Sequence, residues 1–131
     1  MSDSRAIALG VAIQEYFHTG QFAWELNDLD WSNISEFYSR VLRRCHQIPS
    51  GKTMTYGELA QAVSSPKAAR AVGAAMAANR WPLLIPCHRV VGSAGRLTGY
   101  SGRGGLETKR KLLAMEREFA ADASGLTLQL Q

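Results

Sequence analysis

Cys87 is the residue of this sequence best suited to covalent chemistry. It lies in the strongly apolar segment 82–91 and is followed directly by His88 and Arg89. Apolar surroundings normally make a cysteine inert, because burial raises the thiol pKa. A nearby base reverses this, since the thiolate that it creates is the nucleophile. Because neighbouring side chains of a regular strand point to opposite faces, we expect a bend or a bridging water to let His88 take the thiol proton.

The second cysteine, Cys45, is also followed by a histidine, so a zinc site formed by Cys45, His46, Cys87 and His88 has to be considered. Structural zinc ligands come in pairs separated by about two to four residues, and adjacent Cys-His pairs lack that spacing. A disulfide is not expected either, because residues 1–5 are too polar to begin a secretory signal. We therefore expect two free thiols and no metal site, with Cys45 as a small core residue.

Length and hydropathy limit the class of protein. The 131 residues suffice for one compact domain. No segment approaches the roughly eighteen unbroken apolar residues that a membrane span needs. We expect an intracellular protein with no membrane contact, located in the cytoplasm or with the nucleoid if the source is bacterial.

Charge is distributed unevenly along the chain, whose formal net charge is +4. Residues 1–36 contain six acidic side chains and one basic one, whereas residues 59–106 contain no acidic side chain. The basic residues of that acid-free segment are Lys67, Arg70, Arg80, Arg89, Arg96 and Arg103. Such a segment fits either a polyanionic partner or a solvated basic face, and the charge pattern alone favours neither.

The elements that must position Cys87 follow from apolar periodicity, which predicts helices over 6–17, 35–48, 56–63, 66–79 and 107–119. Thr55 and Glu58 have the spacing of a capping box, and Ser65 with Pro66 favours a helix start at that proline. Segments 82–91 and 97–100 are expected to be strands around a turn at 92–96. The predicted fold is mainly α with a small β component, an α/β unit of winged helix-turn-helix type.

The chain is divided here into three parts. Residues 1–31 form a short helix and connector, residues 32–119 the winged-helix domain, and residues 120–131 a loosely held tail.

The predicted helix 66–79 has few large side chains. Its small residues are Ala68, Ala69, Ala71, Gly73, Ala74, Ala75, Ala77 and Ala78. A thin helix can approach a nucleic-acid backbone closely, including the narrow minor groove. Alanine is also the best helix former, and by itself the composition is explained as well by a tightly packed helix.

The segment around Cys87, which reads IPCHRVV at residues 85–91, resembles the active-site signature of the O6-alkylguanine-DNA alkyltransferases. The similarity continues upstream in TYGELA at 55–60 and SPKAARAVG at 65–73. It continues downstream in LTGY at 97–100 and GGL at 104–106, and in Lys109, Leu112, Leu113 and Glu116. The resemblance covers about residues 15 to 117, and several ordered motifs make it far more specific than a lone Pro-Cys-His.

The resemblance implies roles for four residues at the reactive centre. Cys87 would accept the alkyl group, and His88 would take its proton through a water. Glu116 would orient and charge His88, and Asn79 would brace the turn between the recognition helix and the active-site segment. No cofactor is implied.

The resemblance also implies a surface for double-stranded DNA. The thin helix would enter the minor groove, Arg70 would fill the gap left by a flipped nucleotide, and Tyr56 would contact the rotating phosphate and the base. Lys67 would bind phosphate. The other residues implied in contacts with DNA or with the alkylated guanine are Ala69, Gly73, Met76, Pro82, Ser93, Tyr100 and Ser101.

The implied activity is DNA repair by direct, irreversible transfer of an alkyl group from O6-alkylguanine to Cys87. Transfer makes a stable thioether, so a monomer would act once. The main alternative is an alkyltransferase-like protein that binds such lesions without repairing them. Those proteins usually carry tryptophan in place of the nucleophile, whereas this chain keeps Cys87.

Two further classes of protein fit less well. A transcription regulator generally reads the major groove with polar side chains, which the helix 66–79 nearly lacks. A papain-like thiol hydrolase has its base far from the cysteine in sequence, whereas His88 is adjacent.

Three features depart from the family pattern. The segment before the winged-helix unit is short. Arg80 and Trp81 follow Asn79 where many members have proline, and Gly102 with Arg103 lengthens the next loop.

Overall fold

Five helices and one two-stranded sheet make up the computed structural model, which describes residues 3–98 and 105–130. The helices are α1 (Asp3–Thr19), α2 (Glu36–His46), α3 (Tyr56–Ala62), α4 (Ala69–Ala77) and α5 (Gly105–Leu130). Strands β1 (Met54–Thr55) and β2 (Val90–Val91) pair in parallel, with Met54 opposite Val90. Short 3-10 turns cover Leu26–Asp28, Cys87–Arg89 and Ser93–Gly95. The predicted fold class, mainly α with a small β component, is confirmed.

The start of α2 is determined by a side-chain cap. The Ser35 hydroxyl accepts a hydrogen bond from the backbone N–H of Tyr38, which satisfies a donor that the first helical turn leaves open. The helix buries Val41, Leu42 and Cys45 against the core. The prediction of Cys45 as a core residue is confirmed, because its side chain is fully buried among apolar neighbours.

The capping box predicted at the start of α3 is present. The N–H of Glu58 donates to Thr55 Oγ1 at 3.0 Å, and the N–H of Thr55 donates to Glu58 Oε1 at 2.8 Å. Leu59 and Ala60 of this helix are buried in the core, where α3 packs against α4.

Helix α4 begins later than predicted. The backbone N–H of Ala68 donates to the carbonyl of Ser65 at 2.9 Å, so residues 65–68 form a turn rather than a first helical turn. Residue Ser64 before it has φ +63°, a left-handed conformation that turns the chain. The prediction of Ser65 as N-cap and Pro66 as the first helical residue was therefore wrong, and no side chain caps α4.

The predicted strand over 82–91 was mostly wrong. Only Val90 and Val91 join the sheet, and Cys87–Arg89 form a 3-10 turn. Pro82 and Pro86 have no N–H to give to a ladder, and local bonds from Cys87 N to Ile85 O and from Arg89 N to Pro86 O coil the chain instead. Leu97 and Thr98, predicted to return as a strand, are not in the sheet, and Tyr100 lies outside the described residues.

The ends of the chain pack on this core through α1 and α5. Helix α1 is closed at Gly20, whose N–H donates to Tyr16 O at 2.7 Å. Helix α5 buries Leu112 and Leu113 and continues past its predicted end at Phe119. The division into three parts stays a prediction. No described helix combines the length and the apolar character that crossing a membrane requires.

Candidate active site

Cys87 opens the 3-10 turn that replaces the predicted strand, and its side chain is 4% exposed. Its N–H donates to Ile85 O at 2.7 Å, so the turn itself positions the residue. Cys87 and Cys45 both remain thiols, and burial together with the neighbouring Cys87 raises the pKa of Cys45 far above its usual range. Because the chain coils here, consecutive side chains are not constrained to opposite faces as in a strand.

His88 is fully buried and bonds to the carboxylate of Glu116, with 2.8 Å between Nε2 and Oε2. Burial alone would raise the pKa of Glu116, but hydrogen bonds from His88 and Arg89 lower it to about 2. Glu116 is therefore an ionised carboxylate that can only accept, so Nε2 of His88 must carry the proton. Burial lowers the pKa of His88 in spite of this bond, so its ring is neutral.

The tautomer leaves Nδ1 of His88 as a hydrogen-bond acceptor. This atom is buried and has no hydrogen-bond partner among residues 3–98 and 105–130. A neutral imidazole with a buried, unprotonated nitrogen can act as a general base toward a proton brought to it, directly or through one water. The resemblance implied the same order of residues, from Cys87 to His88 to Glu116.

Arg89 was grouped with the basic residues of the acid-free segment, but it does not belong to an exposed charged face. The residue is 7% exposed, and its guanidinium donates to both oxygens of Glu116, at 2.9 Å from Nε and 2.7 Å from Nη2. Nη1 donates to Ile48 O at 2.7 Å. The flanking apolar residues of segment 85–91 are the sequence signal that could have indicated its burial.

Two buried residues near the site had no role assigned from the sequence. Tyr16 donates its hydroxyl to Glu116 Oε2 at 2.5 Å. Lys109, which is 1% exposed, donates to Val90 O at 2.6 Å and to Thr98 O at 2.8 Å. Burial lowers the pKa of Lys109, and the nearby cysteines oppose that shift. No local pattern around Tyr16 indicates a partner one hundred residues away.

Asn79 links α4 to the segment that carries Cys87. Its side-chain amide donates to Ile85 O at 3.0 Å, and its carbonyl oxygen accepts the N–H of Trp81 at 2.9 Å. The Trp81 ring packs on Trp31, with 5.0 Å between the ring centroids. Trp81, which stands close after Asn79 where many family members have proline, is thereby packed against the connector that precedes α2.

The residues implied in DNA contacts are distributed over several environments. Lys67, Arg70 and Ser93 are exposed, whereas Ala69 and Pro82 are half-buried. Met76 is 5% exposed and belongs to the core cluster. Tyr100 and Ser101 lie outside the described residues.

Tyr56 and Gly73 lie side by side, at the start of α3 and within α4. A Cβ atom at Gly73 would lie 4.0 Å from two ring carbons of Tyr56. The Tyr56 hydroxyl donates to Thr98 O at 3.1 Å and accepts from Thr98 Oγ1 at 3.0 Å. This half-buried tyrosine therefore connects the helix pair with the segment after β2.

The fold and the site together define a small helical domain in which a buried cysteine lies next to an imidazole–carboxylate pair. The family model described as "6-O-methylguanine DNA methyltransferase, DNA binding domain" matches residues 36–118. The chain belongs to this family, as the sequence motifs indicated.

Relatives and solved structures agree with the family. The chain is 48% identical over 102 residues to the methylated-DNA–protein-cysteine methyltransferase of Mycolicibacterium paratuberculosis, covering 76% of this chain and 61% of the relative. It is 44% identical over 98 residues to the protein of that name from Methanosarcina acetivorans, covering 72% and 62%. The chain thus spans about three-fifths of the length of these curated relatives.

Two solved structures are similar to a large part of this chain. Mycobacterium tuberculosis OGT in complex with DNA superposes with a TM-score of 0.73 at 39% identity, covering 86% of this chain and 68% of that one. Atl1 of S. pombe, in complex with damaged DNA containing O6-carboxymethylguanine, superposes with a TM-score of 0.55 at 37% identity. That match covers 62% of this chain and 75% of Atl1.

Proposed function

We propose that this protein repairs DNA by transferring an alkyl group from O6 of guanine to the sulfur of Cys87. The observation that carries the proposal is the state of His88. Glu116 holds the proton on Nε2, so the buried Nδ1 of the residue next to Cys87 is free of a proton and can accept one. The names of the relatives supply the substrate, methylated DNA, and the acceptor, a protein cysteine.

The reaction balances without a cofactor. His88 takes the thiol proton, the thiolate attacks the alkyl carbon, a carbon–sulfur bond forms and the bond from that carbon to O6 breaks. The electron pair of the broken bond stays with guanine, which then takes up the proton held by His88. The product is a thioether that water does not hydrolyse, so each molecule repairs one lesion.

Access to the base requires duplex DNA to open. The alkylated oxygen is enclosed in the base stack, and flipping the nucleotide out costs a few kcal/mol, less for a lesion that pairs poorly. Exposed Lys67 and Arg70 flank the start of α4, where they can bind phosphate and enter the stack. Binding by such contacts is independent of sequence and weakens with salt, and in a bacterial cell it would hold the protein at the nucleoid.

Intact-mass spectrometry tests this function directly. The protein is mixed with a duplex that contains one O6-methylguanine, and with the same duplex containing guanine. We expect a gain of one methyl group with the lesion duplex, mapped to Cys87, and no gain for a Cys87→Ala variant. If the wild type gains no mass while it binds the lesion duplex more tightly than the control duplex, the chain binds the lesion without repairing it, and the proposed transfer is wrong.

A further inference from the structure

Tyr16 reaches the candidate active site from outside the segment that the family model matches. It lies on α1, before residues 36–118, and is fully buried. Its hydroxyl donates to Oε2 of Glu116 at 2.5 Å, across one hundred residues of sequence. That oxygen is the one that also accepts the Nε2–H of His88.

The bond pattern on Glu116 makes the tyrosine part of one network. Oε1 accepts from Arg89 Nε, whereas Oε2 accepts from Tyr16, His88 and Arg89 Nη2. Several donors on one oxygen share its charge and restrict where it can lie. The Tyr16 bond therefore affects both the position of Oε2 and the charge that His88 experiences.

The end of α1 is held tightly enough to define the position of the hydroxyl. The Tyr16 ring packs edge-on against Phe17, with 5.2 Å between centroids, and lies 6.1 Å from the ring of Phe22. Gly20, which closes the helix, approaches α5 so closely that a Cβ there would lie 3.0 Å from the Phe119 ring. Helix α1 is thus anchored to the helix that carries Glu116.

We propose that Tyr16 is a positioning residue of the active site, whose hydroxyl holds Glu116 Oε2 where it keeps the proton of His88 on Nε2 and leaves Nδ1 free to accept one. Helix α1 then belongs to the reactive unit together with residues 36–118. The inference rests on the proposed function, because it assigns Tyr16 a role in preparing Cys87 for attack.

The Tyr16→Phe variant tests this role, because it removes one oxygen and keeps the ring. Without this donor, more of the carboxylate charge acts on His88, so its imidazolium form is favoured and the neutral base exists only at higher pH. We expect the acid limb of the pH–rate profile for Cys87 modification to move up by about half a pH unit or more. The rate is measured with iodoacetamide and peptide mass mapping, which separates Cys87 from Cys45.

The iodoacetamide assay needs no DNA, so this test is separate from the test of alkyl transfer. If the wild type takes up no methyl group, the proposed function is wrong. The effect of Tyr16→Phe on the reactivity of the Cys87 thiol can still be measured in that case. Tyr38→Phe is the matched control, because it makes the same change at a half-buried tyrosine of α2. We expect the wild-type profile for this control.

A purely structural role gives a different result. If Tyr16→Phe lowers the melting temperature but leaves the pH–rate profile where it is in the wild type, the proposal is wrong. If the variant does not fold, the hydroxyl proton of Tyr16 is followed by NMR in the wild type. It should be a protected, downfield signal that shifts as His88 titrates, and a signal that stays constant through that titration would overturn the proposal.

Discussion

Arg89 and Glu116 form a bidentate, buried ion pair, in which both carboxylate oxygens accept from one guanidinium at 2.7 and 2.9 Å. The pair joins the 3-10 turn of Cys87 to α5, and Arg89 also donates to the carbonyl of Ile48, two residues after the end of α2. Three segments of the chain therefore meet at one guanidinium. Removing one partner of such a pair leaves the other charge buried without a counter-charge.

Replacing Arg89 should be strongly destabilising. We expect Arg89→Leu to lower the free energy of unfolding by about 3–5 kcal/mol, because Glu116 is left buried without its main counter-charge. The exposed pair of Arg110 and Glu107 on α5 provides the control, and Arg110→Leu should cost less than about 1 kcal/mol. Urea denaturation of both variants measures the difference, and equal losses would show that the buried pair contributes no more than a surface pair.

Acid should remove the contribution of Glu116 to stability. Its pKa is lowered from 4.5 to about 2 in the folded state, so its contribution is complete above 4.5 and is lost as pH falls from there toward 2. The difference corresponds to about 3 kcal/mol. Unfolding free energies measured across this range should fall less steeply for Glu116→Gln than for the wild type. The exposed Glu107→Gln should retain the wild-type slope, and an unchanged slope in Glu116→Gln would contradict the lowered pKa.

Gly73 should separate fold stability from DNA binding. A methyl group there has ordinary van der Waals contact with Tyr56, and alanine is the better helix former, so Gly73→Ala should be neutral or stabilising by up to about 1 kcal/mol. The same methyl fills the surface between α4 and Tyr56, and we expect lesion-duplex binding to weaken by about tenfold or more. Fluorescence anisotropy in a Cys87→Ala background measures this.

Gly10 of α1 offers the matched change for Gly73. Its added Cβ would meet nothing within 4 Å, so Gly10→Ala should stabilise its helix in the same way and leave DNA binding unchanged. If Gly73→Ala binds the lesion duplex as tightly as Gly10→Ala, the face of α4 near Tyr56 does not approach DNA.

Asn79 should matter for both stability and reactivity. The Asn79→Ala variant leaves the carbonyl of Ile85 and the N–H of Trp81 without this partner, which we expect to cost about 2–4 kcal/mol. Ile85 O also accepts the N–H of Cys87, so the rate of Cys87 modification should fall as well. Asn27→Ala, at an exposed position of the Leu26–Asp28 turn, should change stability by about 0.5 kcal/mol or less. If Cys87 is modified at the same rate in Asn79→Ala as in Asn27→Ala, Asn79 does not influence the reactivity of Cys87.

Local signals predicted the helices well where the stabilising contacts are themselves local. The Thr55–Glu58 box joins residues three apart, and those two residue types were enough to predict it. The same reasoning failed at α4, because the Ser65 backbone carbonyl, and not its hydroxyl, closes the turn before the helix. Side-chain identity does not reveal which of these two acceptors the chain uses.

The segment around Cys87 is a second place where residue types alone did not predict the backbone conformation. Apolar composition predicted a strand over 82–91, but two prolines without N–H groups and the local backbone bonds of the Cys87–Arg89 turn shorten it to Val90–Val91. The adjacency of Cys87 and His88 was evident from the sequence. Whether the His88 imidazole could accept the proton of the Cys87 thiol depended on the backbone, which forms a 3-10 turn at that point.

The sequence by itself determined the fold class, the capping box of α3 and the family to which the chain belongs, because these follow from short motifs of residues close together along the chain. Only the tertiary structure decided that Tyr16, His88 and Arg89 converge on Glu116, from 100, 28 and 27 residues away. The physical reason is that a buried carboxylate is stable only when donors surround it, and packing of α1 and α5 on the core selects those donors.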